Sequence, residues 1–178
     1  EQPFTYVVFT CGGSMCNAVS QVKKYLRVDY CAELVMPDNY VVMYDIRHPD
    51  DVKRTLMAAQ KTLGVICNDV KKREKKKLKT PGLLEMIQTK WMYPIYRNGR
   101  KTDRFFADDR CDGCGVCAAN CPDKAIDMVG GKPTWSKPQC ELCLSCLHHC
   151  PRQALQYGKK TAKRSRYIYP RVIKRQES

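Results

Sequence analysis

The sequence predicts two unlike parts: a short parallel α/β segment at the front, and a small pseudo-symmetric α+β fold toward the C-terminus. Three observations predict this. A twelve-residue stretch rich in cysteine recurs 29 residues further on. A strand–helix–strand–helix hydrophobic pattern fills the first 70 residues. The excess positive charge lies outside both regions, in the segment that joins them and in the tail.

In the front part, Phe4 to Thr10 is a β-branched and aromatic run that ends at Gly12-Gly13, a strand followed by a turn. Ser14 is placed to cap the next segment, where Met15, Ala18, Val19, Val22 and Leu26 recur at helical spacing. Tyr30 to Met36 reads as a second strand closed by Pro37-Asp38-Asn39. A long helix is predicted from Pro49. Proline suits its first turn, and Asp50 and Asp51 favour its positive end. Val52, Leu56, Ala59, Leu63, Ile66 and Val70 line one face. Strand–helix alternation points to a parallel sheet. Two strands are fewer than such a sheet normally has, so residues 1–70 read as part of a larger α/β domain. The chain opens on Glu1 rather than Met, which reads as a fragment or a processed product.

The formal charge of +14 divides into −1 over residues 1–70, +8 over 71–110, zero over 111–158 and +7 over 159–178. Lys71 to Lys79 holds seven basic residues in nine. A solvated helix face or helix end is the plain reading, a docking patch for an acidic partner the sharper one, and nucleic-acid binding the third. Residues 71–104 are expected to form a basic, partly helical linker, broken by Pro81-Gly82 and by Pro94. Residues 159–178 form a basic tail. The N-terminus has no basic region or apolar run of signal-peptide length, and no stretch reaches the length of a membrane span. Twelve cysteines in such a chain point to a reducing, cytoplasmic setting and to metal rather than disulfides.

Eight of the cysteines form the repeat. Cys111, Cys114, Cys117 and Cys121-Pro122 are answered by Cys140, Cys143, Cys146 and Cys150-Pro151, and Ala125-Ile126 by Ala154-Leu155. A [4Fe–4S] cube needs four thiolates, and C-x₂-C-x₂-C lets one tight loop reach three corners. Zinc sites take paired cysteines or histidines in a four-ligand tetrahedron, a poor match to two triplets with two outliers. The doubled motif over 105–158 resembles bacterial-type dicluster 2[4Fe–4S] ferredoxins. In those the fourth cysteine ligates the other cluster. The resemblance therefore implies one cluster on Cys111, Cys114, Cys117 and Cys150, and a second on Cys140, Cys143, Cys146 and Cys121. Gly113 and Gly115 let the first loop turn close to the sulfurs. Leu142 and Leu144 stand in their places in the second loop, so the two clusters are expected to have unequal surroundings.

His148-His149 read as ordinary surface or helix positions rather than ligands, because the cysteine set is full. Cys11, Cys16, Cys31 and Cys67 read as buried free thiols. Cys11 has a further reading, because it opens the turn after the first strand, where α/β domains bind ligands.

Beyond the cysteines, the whole chain resembles a fusion of a flavodoxin-like domain with such a ferredoxin. The matching pieces are Val7 to Gly13, Met36 to Tyr40, Gly131 to Trp135, Gln156 to Thr161 and Arg166-Tyr167. The family's flavin-phosphate loop after its first strand has no counterpart here, and the chain begins at the family's fourth strand. The family places Thr10, Cys11, Gly12 and Gly13 by the flavin ring, which alone is half a site for FMN. The fold class implied is an α+β dicluster ferredoxin fold preceded by a partial α/β flavodoxin-like segment. The expected function is single-electron transfer between redox partners, with no catalytic residues. The alternatives are a flavin-dependent oxidoreductase, if a complete flavodoxin-like domain is supplied, and a subunit whose partial domain docks on a larger complex. The charge distribution makes a testable statement about partners. Neutralising Lys75, Lys76 and Lys77 together is expected to slow association with an acidic redox partner at low salt, as stopped-flow kinetics would show. Rates equal to the parent's would return the run to a solvated helix end.

Overall fold

The computed structural model describes residues 3–76 and 82–173. Lys77 to Lys79 of the basic run, Pro81 and the last five residues of the tail lie outside the described residues. The chain divides into two units, Glu1–Asp38 with Arg47–Ile95, and Asn39–Ile46 with Tyr96–Ser178.

In the first unit, β1 (Tyr6–Cys11) pairs in parallel with β2 (Tyr30–Val35), from Tyr6 opposite Tyr30 to Cys11 opposite Val35. The connecting helix α1 covers only Ala18–Val22. The sequence period ran from Met15 to Leu26, but Val19 is the helix's one buried residue, so packing does little to extend it. Ser14 accepts from the Cys16 N–H instead of capping the helix. Helix α2 (Pro49–Lys71) begins as expected, with proline in its first turn and Asp50 and Asp51 at its positive end. His48 precedes it, and its Nδ1 accepts from the Asp50 N–H. Val52, Ala59 and Ile66 are its buried residues, whereas Leu63 of the predicted stripe is exposed. Ala59 and Ile66 join Tyr30 and Leu34 of β2 in the unit's core, with Val8 and Val70 at its edge. Fully buried Tyr30 satisfies its hydroxyl on Asp69, at 3.0 Å. Lys71 to Lys76 are exposed and follow the negative end of α2, which favours cations.

Helix α3 (Leu83–Gly99) runs through Pro94, so the break expected there is absent. Proline removes one N–H from the ladder, whose bond would have gone to the carbonyl of Lys90. Lys90 is exposed, and water can take up that carbonyl.

The second unit is built from two half-motifs that exchange strands. The first half runs β3 (Phe105–Ala107), the first cysteine loop, α4 (Val116–Ala119) and β4 (Ile126–Val129). The second runs β5 (Lys132–Trp135), the second loop, α5 (Ser145–His148) and β6 (Leu155–Tyr157). β3 pairs antiparallel with β6, and β4 with β5. Each strand entering a loop is therefore held by the strand leaving the other loop or its helix. Phe105 stacks on Trp135, centroids 5.1 Å apart, and meets the edge of Tyr157 at 4.7 Å. Val41, Leu142, Leu144, Leu147 and Leu155 complete the core. A short 3₁₀ turn (Thr161–Lys163) and the hairpin β7 (Arg166–Ile168) with β8 (Arg171–Ile173) follow.

The repeat extends to the backbone. Gly113 and Gly115 both have φ near +75°, and the equivalent Leu142 and Leu144 adopt φ of 48° and 59°. A Cβ on Gly113 would lie 2.6 Å from the Gly131 carbonyl oxygen, so only glycine fits there. Leucine at positive φ costs about 1–2 kcal/mol, which burial of a leucine side chain, about 1.5–3 kcal/mol, offsets. Leu144 is 2% exposed. Leu144→Ala, which loses the burial and keeps the backbone cost, is expected to destabilise by about 2–5 kcal/mol. Leu144→Gly should be the milder change by roughly 1 kcal/mol, the reverse of the usual helix order. Chemical denaturation of both variants would show it.

Candidate metal centre

The two loops and the strand exchange form two small pockets of similar size, about 20 Å³ each. The first loop's pocket is lined by Cys111, Cys114 and Cys117, with Cys150 from the second half. The other is lined by Cys140, Cys143 and Cys146, with Cys121 from the first half. Each pocket thus gathers three thiols in sequence and one from across the pseudo-symmetry axis. A larger groove in the same unit, lined among others by Phe106, Lys132 and Lys137, carries no cysteine.

The thiols interact electrostatically within these two sets. Cys146 is raised to about 12, chiefly by burial, and then by the thiolates of Cys143, Cys121 and Cys140. Burial likewise raises Cys117, with Cys150 and Cys114 adding to it, and raises Cys140. Thiols so disfavoured as free anions ionise when a cation meets them. Among the described residues, no three His, Cys, Asp or Glu side chains converge closely enough to chelate a single ion. Four sulfurs that each serve a different iron of one cube stand further apart than the four ligands of a single tetrahedral ion.

Backbone groups point at the sulfurs with the same symmetry. Ala125 N–H donates to Cys121 Sγ and Ala154 N–H to Cys150 Sγ, both at 3.3 Å. Lys124 and Gln153, one residue before each donor, share φ of 47°. Leu142 N–H donates to Cys140 Sγ at 3.4 Å. Such donors stabilise thiolate and influence cluster potential. At the surface Arg152 pairs with Asp112, whose other oxygen accepts from the Cys114 N–H, so a residue beside Cys150 braces the first loop. Each pocket has one buried, two half-buried and one exposed cysteine, and this set, with backbone N–H donors at the sulfurs and αL turns that bring the backbone close, fits an iron–sulfur cube.

Residues 104–166 match the 4Fe-4S dicluster domain. A dicluster domain with its cysteines in place implies two [4Fe–4S] clusters. The chain is also similar to an uncharacterized polyferredoxin-like protein of Methanocaldococcus jannaschii, 43% identical over 47 residues. That alignment covers 26% of this chain and 20% of the relative. The chain therefore spans about a fifth of the length of the curated relative it matches. No solved structure matches the chain significantly.

The structure corrects several readings of the other candidates. Of the four remaining cysteines only Cys31 is buried. Cys11 is half-buried, and Cys16 and Cys67 are exposed, because the small first unit covers little of its surface. Cys11 Sγ lies 3.1 Å from Glu33 Oε1, and burial with that hydrogen bond pushes its thiol up to about 11. A thiol held protonated is a poor nucleophile. Thr10 is exposed at the end of β1, and a Cβ on Gly12 would collide with the Asp38 carboxylate.

His148 is not a surface residue. It is 2% exposed, and burial pushes it down to about 4, so it is neutral at neutral pH. Its Nε2 lies 2.9 Å from the Asn39 carbonyl oxygen, and its Nδ1 accepts from the Tyr167 N–H at 3.2 Å. The tautomer is therefore Nε2–H. His149, exposed, stays on its own helix, with Nδ1 at 3.0 Å from the Ser145 carbonyl. The role of His148 was invisible in the sequence, because its partners stand 109 and 19 residues away. Segment 39–46 is further tied by Arg164, which donates to the Val41 carbonyl, and by Ser165 N–H, which donates to Asp45. His148→Leu leaves the buried Tyr167 N–H unpaired, at about 1–3 kcal/mol, while the Asn39 carbonyl keeps its bond from the Val41 N–H. Lower unfolding stability and faster proteolysis within 39–46 are the expected outcomes, read by denaturation and by mapping the cleavage sites.

Proposed function

We propose that the chain is an iron–sulfur electron-transfer protein that carries single electrons through two [4Fe–4S] clusters between protein redox partners. One observation carries the reading: each pocket gathers four thiols, three from its own loop and one from the opposite half. In this reading Cys111, Cys114, Cys117 and Cys150 hold the first cluster, and Cys140, Cys143, Cys146 and Cys121 hold the second. When bound, the clusters supply reversible one-electron chemistry at iron. The protein's own residues position the thiolates, direct backbone N–H groups at Cys121, Cys140 and Cys150, and exclude water with Leu142, Leu144 and Leu155. The exposed sulfurs are Cys114 and Cys143, one per pocket, so each cluster has a short route to a docked partner. Among the described residues no helix is long and apolar enough to cross a membrane.

The first unit fits a partial flavodoxin-like segment, supported by its parallel β1–β2 pair and the α2 face packed on it. Its exposed basic residues after α2 fit a docking role toward acidic partners.

The test begins with composition. Anaerobically reconstituted protein is expected to bind about eight iron and eight labile sulfide per chain, with a cubane EPR signal on reduction. Tightly bound zinc and no such signal would sink the reading. Cys121→Ala tests the crossed arrangement. It should damage the cluster of Cys140, Cys143 and Cys146 and spare the nearer one; damage limited to the nearer cluster would refute the crossing.

A further inference from the structure

Among the described residues Arg166 is the largest fully buried side chain, at 1% exposed. A guanidinium there needs countercharge, because burying an unpaired cation costs several kcal/mol. Among the described residues no carboxylate lies within ion-pair distance of it. Its hydrogen bonds go to neutral groups. Nη1 donates to the carbonyls of Thr161 (3.1 Å), Arg164 (2.9 Å) and Ser165 (3.4 Å). Nη2 donates to the Leu155 carbonyl (3.2 Å) and to Gln156 Oε1 (3.0 Å). Its Nε is buried with no partner.

Of the charges around it, Cys150, Asp45 and Asp108 favour the cation, Cys150 foremost, and Arg110 opposes it. Both carboxylates are engaged elsewhere. Asp108 holds Arg110 through two nitrogens, and Asp45 accepts from the Ser165 and Ile46 N–H groups. Leu155, whose carbonyl anchors the guanidinium, also lines the pocket of Cys150.

We propose that Arg166 is the buried countercharge of the cluster held by Cys111, Cys114, Cys117 and Cys150, and that it sets this cluster's reduction potential above that of the other. The proposal rests on reading the two pockets as cluster sites. A cube with four thiolates carries about −2 when oxidised and about −3 when reduced. A fixed positive charge nearby therefore favours the reduced form. Among the described residues the second pocket has no buried cation that lacks a carboxylate partner. The cation beside it, Arg100, is also largely buried with an unpartnered Nε, but its charge is compensated by Glu141, and Asp123 is paired with Lys137. The first electron to enter the protein is thus held at the first cluster. Arg166 is a positioning and tuning residue that does not touch the reacting atoms by ligation.

Redox titration followed by EPR tests this on the cluster-loaded full chain, with Cys114→Ser and Cys143→Ser marking which signal belongs to which cluster. Arg166→Met is expected to lower the first cluster's reduction equilibrium about tenfold, near 59 mV for one electron, and to leave the second unmoved. Arg166→Lys keeps the charge and loses the fork of hydrogen bonds, so it should weaken folding while retaining most of the potential. A purely structural role would weaken folding in both variants without separating their potentials. That result, or an unchanged midpoint in Arg166→Met, overturns the proposal. If Arg166→Met does not take up clusters, the parent protein decides: first reduction at the Cys140, Cys143, Cys146 and Cys121 cluster overturns it, and at the other supports it. Failure of the parent to bind iron would instead count against the cluster reading itself.

Discussion

The second unit depends on one constraint: a tight C-x₂-C-x₂-C loop supplies three thiols, and the fourth must come from elsewhere. The chain meets it by exchanging strands between two similar halves. β3 lies on β6 and β4 on β5, which brings the helix-end cysteine of each half into the opposite pocket. Neither pocket can be assembled by one half alone. This makes a unit with little apolar core cooperative, and metal binding adds to its folding energy.

The pseudo-symmetry holds in the sign of the backbone angles and fails in the residues that adopt them. Positive φ recurs at 113 and 142, at 115 and 144, and at 124 and 153, because the loop must turn back on its sulfurs at those points. Glycine meets the demand without cost in the first loop. In the second, leucine meets it by packing into the core. Both pockets are lined mainly by apolar side chains, Val116, Met128 and Leu155 in the first and Ile126, Leu142 and Leu144 in the second, so the loops differ in residue more than in polarity.

Around this centre, a buried polar network joins distant parts of the unit. Thr161 Oγ1 accepts from the Tyr157 N–H and donates to Gln156 Oε1, which also accepts from Arg166. His148 spans Asn39 and Tyr167. Satisfied networks of this kind select one arrangement, because any shift leaves buried groups unpaired. They hold the 39–46 segment and the post-β6 chain against the cysteine loops.

What the sequence determined by itself was everything that depends on local spacing. The cysteine repeat, the proline and aspartate start of α2, the two parallel strands and the helix-end charge all follow from residues within a few positions of one another. Interactions across long separations were decided only by tertiary structure. Helix α3 passes through Pro94, where the local rule predicts a break, and α1 is shorter than its period because only Val19 finds a core. His148 looks like a surface histidine until Asn39 and Tyr167 close over it, and Arg166 looks like one more charge in a basic tail until it is buried against the carbonyl of Leu155, a residue of the Cys150 pocket. Burial is a property of the whole packed chain, so a side chain whose role is set by burial carries no local sign of it.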